Sequence, residues 1–154
     1  MPRTDRVARV IHADVARVYG ALVDRSALEA WLPPAGMTAT FERFDPTPGG
    51  SYRLILTYLR PDAGGGKSSA DSDIVEARFL ELVPEDRVVQ AVDFVSDDPA
   101  FAGTMTMTWA VRPVAGGTRV EFSAVDVPDG ITADDHLAGM NSSLDNLTDY
   151  LRSS

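Results

Sequence analysis

Two histidines are the side chains best suited to acid–base chemistry in this sequence, which contains no cysteine. A catalytic zinc typically has three protein ligands, and His12 and His136 lack the HExxH-like spacing of a shared helical site, so we predict no metal and no cofactor. His136 flanks an apolar stripe, and two interpretations of it remain. It acts as an acid, base or hydrogen-bond donor to a ligand, or it is a first-turn residue held by Asp134 or Thr132, which we favour.

A group of methionine and aromatic side chains could line a ligand cavity, because such side chains adapt to apolar molecules. The group consists of Trp31, Phe94, Met105, Met107, Trp109 and Met140. Each residue alone is more typical of a filled core, whereas the group is equally consistent with a cavity. Gly139 is a further hint, because glycine within a helix costs about 1 kcal/mol relative to alanine, and its place beside Met140 indicates a close backbone approach or room for a ligand; a tolerated surface glycine is the alternative. With His136, these six residues form the predicted ligand-binding set.

A glycine-rich stretch at 64–68, GGGKS, resembles the end of a phosphate-binding loop. That motif requires a small residue where Pro61 stands and a helix immediately afterwards, so that amide groups converge on phosphate. Here a polar segment leads into a strand-like run instead. We therefore predict a hairpin loop over 61–72, Gly- and Ser-rich and able to act as a lid, and no nucleotide site.

Composition narrows the classes of partner and the number of domains. The net charge of -9, with no basic cluster, repels nucleic acid and anionic membrane surfaces. No run approaches the ~20 apolar residues of a membrane span, and the N-terminus does not resemble a signal peptide, so we expect a cytoplasmic protein. The 154 residues, 44% of them apolar, fit a single domain over 1–154.

The predicted site depends on a long helix over 131–152. Its apolar positions recur at steps of three and four and share one face: Ala133, Leu137, Met140, Leu144, Leu147 and Leu151. Thr132 and Asp135 have the spacing of a capping box, which marks the start. The other faces carry Ser142, Asp145, Asn146 and Asp149, which we expect to be exposed to water. The apolar stripe must therefore pack against another element.

That element is predicted to be an antiparallel sheet. A strand near residues 7–12 precedes two short helices, and six strand-like runs follow between 37 and 127, with clear alternation in GTMTMTWAVRP and TRVEFSAVDV. One face of this sheet is apolar and needs the long helix as its cover. The polar strand residues Glu76, Arg78, Gln90 and Asp93 are assigned to the solvent face. The fold class is α+β, with a curved seven-stranded antiparallel sheet around a long C-terminal helix.

Several segments, in this order, resemble the START-like (SRPBCC) superfamily, and within it the group similar to the C-terminal domain of the Hsp90 ATPase activator. The segments are ADVARVYGALVD, LEAWLPP, PGGSYRL, LELVPEDRVV, GGTRVEF and GITADDHLAGMNSSLDNLTDYL. The resemblance implies the helix-grip fold and binding of a small, mostly apolar ligand between helix and sheet. It also allows an enzyme similar to polyketide cyclases or small hydrolases, with His136 as acid or base. A protein partner, as for a co-chaperone, ranks third, because the full activator has a further N-terminal domain absent from this sequence.

Overall fold

The computed structural model describes residues 3–59 and 72–153. In chain order the elements are β1 (Thr4–Ile11), α1 (Val15–Leu22), α2 (Arg25–Trp31), β2 (Met37–Phe44), β3 (Ser51–Tyr58), β4 (Ser72–Val83), β5 (Arg87–Phe94), β6 (Met105–Val114), β7 (Gly117–Val125) and α3 (Ala133–Ser153). The predicted α+β helix-grip fold is confirmed. The glycine-rich stretch at 64–68 and the proposed lid, apart from Ser72 at the start of β4, lie outside the described residues.

The strands form one antiparallel sheet in the order β1-β7-β6-β5-β4-β3-β2. The chain therefore begins at one edge, crosses through α1 and α2 to the opposite edge, and returns strand by strand until β7 pairs with β1. The alternation predicted for β7 is present, since Val120, Phe122 and Ala124 are all buried on the inner face. This face is the apolar wall against which the helices pack.

Helix α3 covers the inner face with the predicted stripe. Leu144 and Leu147 are completely buried, and Met140 and Leu151 nearly so. The helix start is also as predicted, because the Asp135 backbone N–H donates to Thr132 Oγ1 at 3.1 Å. None of the helices in the described part of the chain is long and apolar enough to cross a membrane.

The expectation that the other faces of α3 are exposed to water fails for Ser142 and Asn146, which are half-buried. Ser142 Oγ accepts the backbone N–H of Ala35 at 2.9 Å, and Asn146 Nδ2 donates to the Pro33 carbonyl at 2.9 Å. Both contacts tie α3 to the segment that leaves α2. The physical reason is that this segment crosses the helix, and its backbone groups need partners there.

The assignment of polar strand residues to the solvent face fails for one of the four. Glu76 lies on the outer face and pairs with Arg43 at 2.7 Å and Arg53 at 2.5 Å. Gln90, by contrast, is completely buried. It has the same parity as Val88 and Val92 on β5, so its side chain points to the inner face with theirs.

Candidate functional site

A cavity of about 520 Å³ lies between α3 and the inner face of the sheet. This volume is within the range of small-molecule sites in proteins, which are mostly apolar with a few polar groups. The apolar wall comes mainly from strands β3 to β6 and from α3, and its larger side chains are Leu54, Leu56, Val92, Phe94, Phe101, Met105, Met107, Trp109, Phe122 and Met140. The cavity therefore has the shape and surface that suit an apolar molecule.

Six members of the predicted ligand-binding set are part of this wall: Phe94, Met105, Met107, Trp109, His136 and Met140. Parity explains the agreement on the sheet, because the five-residue run from Met105 to Trp109 places alternate side chains on the inner face. Gly139 also lines the cavity, and a Cβ built on it would meet no atom within 4 Å. The glycine therefore borders open space rather than a close backbone contact.

The seventh member, Trp31, does not line the cavity. Its ring is fully buried and packs edge-on against Trp109, with ring centroids 5.5 Å apart. Its Nε1 donates to the Ala21 carbonyl at 2.8 Å, which satisfies its polar atom within the core. Trp31 therefore supports Trp109 from behind, and direct ligand contact is not assigned to it.

His136 reaches the cavity wall with a partner that the sequence did not indicate. Its Nδ1 lies 2.7 Å from Oδ2 of Asp5 on β1, rather than against the side chains of Asp134 or Thr132. Asp5 is only 4% exposed, and Arg3 Nη2 donates to the same carboxylate at 3.0 Å. The prediction that Asp134 or Thr132 holds the His136 side chain is therefore wrong. Helix α3 and strand β1 are distant in sequence but adjacent in the fold.

The charge of Asp5 determines how the imidazole is oriented. Burial alone would raise the pKa of Asp5, but hydrogen bonds from His136 and Arg3 outweigh it and bring the pKa below its ordinary value. An ionised carboxylate only accepts hydrogen bonds, so His136 Nδ1 is the donor. In a neutral imidazole this leaves Nε2 as an acceptor. The arrangement can accept a proton or a hydrogen bond from a molecule in the cavity.

Two tyrosines of the cavity wall, Tyr52 and Tyr58, were missed by sequence reasoning, and the hydroxyl group of each has a partner. Tyr52 donates its hydroxyl to Gln90 Oε1 at 2.5 Å, and burial raises the pKa of Tyr52, so it stays a neutral donor. Tyr58 donates to Asp73 Oδ2 at 3.3 Å; burial, then the charge of Asp73, raise the pKa of Tyr58. The alternation of β3 could have predicted both tyrosines, because Tyr52 and Tyr58 are an even number of residues apart and therefore point to the same face of the sheet.

The other histidine, His12, does not line this cavity. His12 is exposed, and its Nδ1 is 2.8 Å from the Gly116 carbonyl oxygen. Within the described ranges, no group of three or more His, Cys, Asp or Glu side chains is arranged to hold a metal ion. The cavity wall contains the carboxylates of Asp73 and Asp135 but neither arginine nor lysine among the described residues. Its electrostatic character therefore disfavours anions.

Comparison with known proteins found a family model and solved structures that are similar to this chain. The model of the family described as activator of Hsp90 ATPase homolog 1-like protein matches residues 12–152. A search of the curated proteins found no match. The structure of CV1439 from Chromobacterium violaceum is 30% identical, with a TM-score of 0.84 and coverage of 96% of each chain.

Two more distant structures share the fold alone. The AHSA1-like protein from Aeromonas hydrophila is 17% identical, with a TM-score of 0.75, and the match covers 98% of this chain and 93% of that one. DynU16, described as a protein of the dynemicin biosynthetic locus, is 20% identical, with a TM-score of 0.69; the match covers 97% of this chain and 47% of DynU16.

Proposed function

The chain belongs to the activator of Hsp90 ATPase homolog 1-like family, and on this basis we propose that it binds a small, mostly apolar molecule between α3 and the sheet. The observation that carries the proposal is the cavity of about 520 Å³. Protein interiors are normally packed with few voids larger than a water molecule. A space of this size, lined by adaptable methionine and aromatic side chains, is what an apolar ligand requires.

Affinity would come mainly from removing ligand surface from water, at about 25 cal/mol per Å² of apolar area. Phe94, Met105, Met107 and Trp109 provide the sheet side of the contact, and Met140 provides the helix side. His136 and the pair of Tyr58 with Asp73 would orient the ligand. This division between apolar area and a few oriented polar groups is typical of ligand sites.

The first experiment is native mass spectrometry of the purified protein, followed by denaturing extraction of any bound molecule. We expect a mass excess that disappears on denaturation. Calorimetric titration with isopropenylnaphthalene, a neutral apolar probe, then tests the position of the site. Met140→Ala should weaken binding about fivefold, since about 1 kcal/mol of contact is removed. Leu80→Ala, which changes an exposed side chain on β4, is the matched control and should bind as the parent does.

The proposal is contradicted if neither an extracted molecule nor the probe binds to the folded parent protein. Equal affinity of the parent, Met140→Ala and Trp109→Ala proteins would place the ligand elsewhere. Circular dichroism of each variant verifies that the fold is retained. The retained Trp31 reports on the core of the Trp109→Ala protein by its fluorescence.

A second candidate is an enzyme similar to polyketide cyclases or small hydrolases that uses the same cavity. The observation that favours it is His136 at the wall, oriented by the buried carboxylate of Asp5. Such a pair can supply general acid–base catalysis. If the molecule recovered by extraction is converted, its rate should fall 10²- to 10⁴-fold in His136→Gln. Undiminished turnover by His136→Gln, with a flat pH–rate profile, rules this role out.

A further inference from the structure

Two N–H donors inside the protein have no acceptor among the described residues. They are Nε2 of Gln90 and Nε1 of Trp109, and both atoms are inaccessible to solvent. Buried donors are almost always paired, because an unpaired one carries the full penalty of losing its hydrogen bonds to water. Two such donors on the inner face of one sheet therefore require an explanation.

The second tryptophan provides an internal comparison. Trp31 is equally buried, yet its Nε1 is paired with the Ala21 carbonyl. Trp109 packs against Trp31 and Phe122 in the same aromatic cluster, but it also lines the cavity. The unpaired indole thus belongs to the tryptophan at the wall of the cavity and not to the one behind it.

The two donors lie on adjacent strands. Gln90 on β5 is directly opposite Met107 on β6, and Trp109 is the next inward residue after Met107. Diagonal neighbours of this kind lie within reach of long and aromatic side chains. Gln90 is fixed from the other side, because its Oε1 accepts from Tyr52, which lines the cavity. Met107 is directly opposite Gln90 and lines the cavity, and its unbranched thioether chain can adopt other rotamers.

The charge of the wall selects the kind of acceptor. A carboxylate or phosphate would enter a cavity that contains Asp73 and Asp135 and that has no arginine or lysine among its described lining residues. Burying an anion without a cationic partner is far more costly than burying a neutral carbonyl. A ketone or quinone oxygen offers two lone pairs and no charge, which suits two N–H donors.

We propose that the ligand is a neutral apolar molecule with a carbonyl oxygen, and that this oxygen accepts hydrogen bonds from Trp109 Nε1 and Gln90 Nε2. The inference rests on the proposed function, since it specifies the chemistry of a ligand in the same cavity. It assigns Met107 the role of a movable cover over the donors. It also gives Gln90 a role that its position beneath the apolar wall does not otherwise explain.

The test uses two probes of nearly the same planar shape, acetylnaphthalene and isopropenylnaphthalene, in which a carbonyl oxygen is replaced by a methylene group. Calorimetric titration should show that the parent protein binds the ketone about tenfold more tightly. Trp109→Phe and Gln90→Met should each reduce this preference, and the double variant should abolish it. Binding of the hydrocarbon should change much less than binding of the ketone, because Met has nearly the size of Gln and Phe keeps an aromatic ring at position 109.

The infrared carbonyl stretch of bound acetylnaphthalene supplies a readout that a structural role alone would not move. Hydrogen bonding lowers this frequency, so we expect a lower value in the parent protein than in hydrocarbon solvent, and a return in the double variant. Equal binding of both probes by parent and variants, with the stretch at its hydrocarbon value, would overturn the inference and leave the proposed function standing. If neither probe binds, the inference is overturned, and the proposed function fails with it unless a bound molecule is recovered by extraction.

Discussion

Replacing Gly139 by alanine should stabilise the protein and weaken ligand binding at the same time. Gly139 lies inside α3 and lines the cavity, and an added Cβ would have no atom within 4 Å. Alanine in a helix interior is favoured over glycine by about 1 kcal/mol, with no steric cost to offset it here. For a domain of this size, that gain corresponds to a rise in Tm of about 2–4 °C.

The same methyl group enters the space that the ligand would occupy. Because a single methyl fills only a small part of a cavity of about 520 Å³, Gly139→Ala should weaken probe binding modestly, whereas Gly139→Leu should abolish it. Gly20→Ala in α1 is the matched control. It also has no neighbour within 4 Å of the added Cβ, but it lies outside the cavity, so it should raise Tm without changing affinity.

Differential scanning calorimetry of the three variants measures Tm, and calorimetric titration measures their affinity for the probe. A lower Tm for Gly139→Ala would show that the glycine is closely packed and that the space beside it is closed. A higher Tm with unchanged probe affinity in both Gly139→Ala and Gly139→Leu would show that the ligand does not use this part of the cavity. Either result would refute the prediction that open space beside Gly139 is occupied by the ligand.

Four other substitutions test the elements that hold the site. Because the pKa of Asp5 is lowered in the folded state, its contribution to the free energy of unfolding is present above its ordinary value of 3.8 and is lost as pH falls through the folded value. The stability difference between the parent and Asp5→Asn, from urea unfolding at a series of pH values, should therefore shrink below that pH; a constant difference would refute the assignment. Leu144→Ala removes a fully buried side chain of α3 and should cost about 2–5 kcal/mol in chemical denaturation, and a cost under about 1 kcal/mol would mean that α3 packs loosely. Gly117→Ala should be severely destabilising in thermal melts, because its φ is +148° and the added Cβ would lie 2.1 Å from the Ile11 carbonyl oxygen; Gly116→Ala, with φ +86° but no close neighbour, should cost only about 1–2 kcal/mol.

The repeating patterns of the chain determined its elements, their faces and hence the fold. Strand alternation requires only that one side of each strand be buried, and the helical stripe only that α3 have a cover. Both are local properties of consecutive residues, so the sheet, the capped helix α3 and its buried leucines were all predictable. The inward placement of Met105, Met107 and Trp109 followed from the same parity.

The tertiary structure alone decided which inward side chains meet a neighbour and which meet open space. Trp31 and Trp109 are alike in sequence terms, but the packing of α2 against the sheet buries the first behind the second and leaves only Trp109 at the cavity. The His136 side chain forms its hydrogen bond with Asp5 rather than with a residue of its own helical turn, because the start of α3 lies beside β1. These outcomes depend on distances between segments far apart in the chain, and no periodicity within a single segment contains that information.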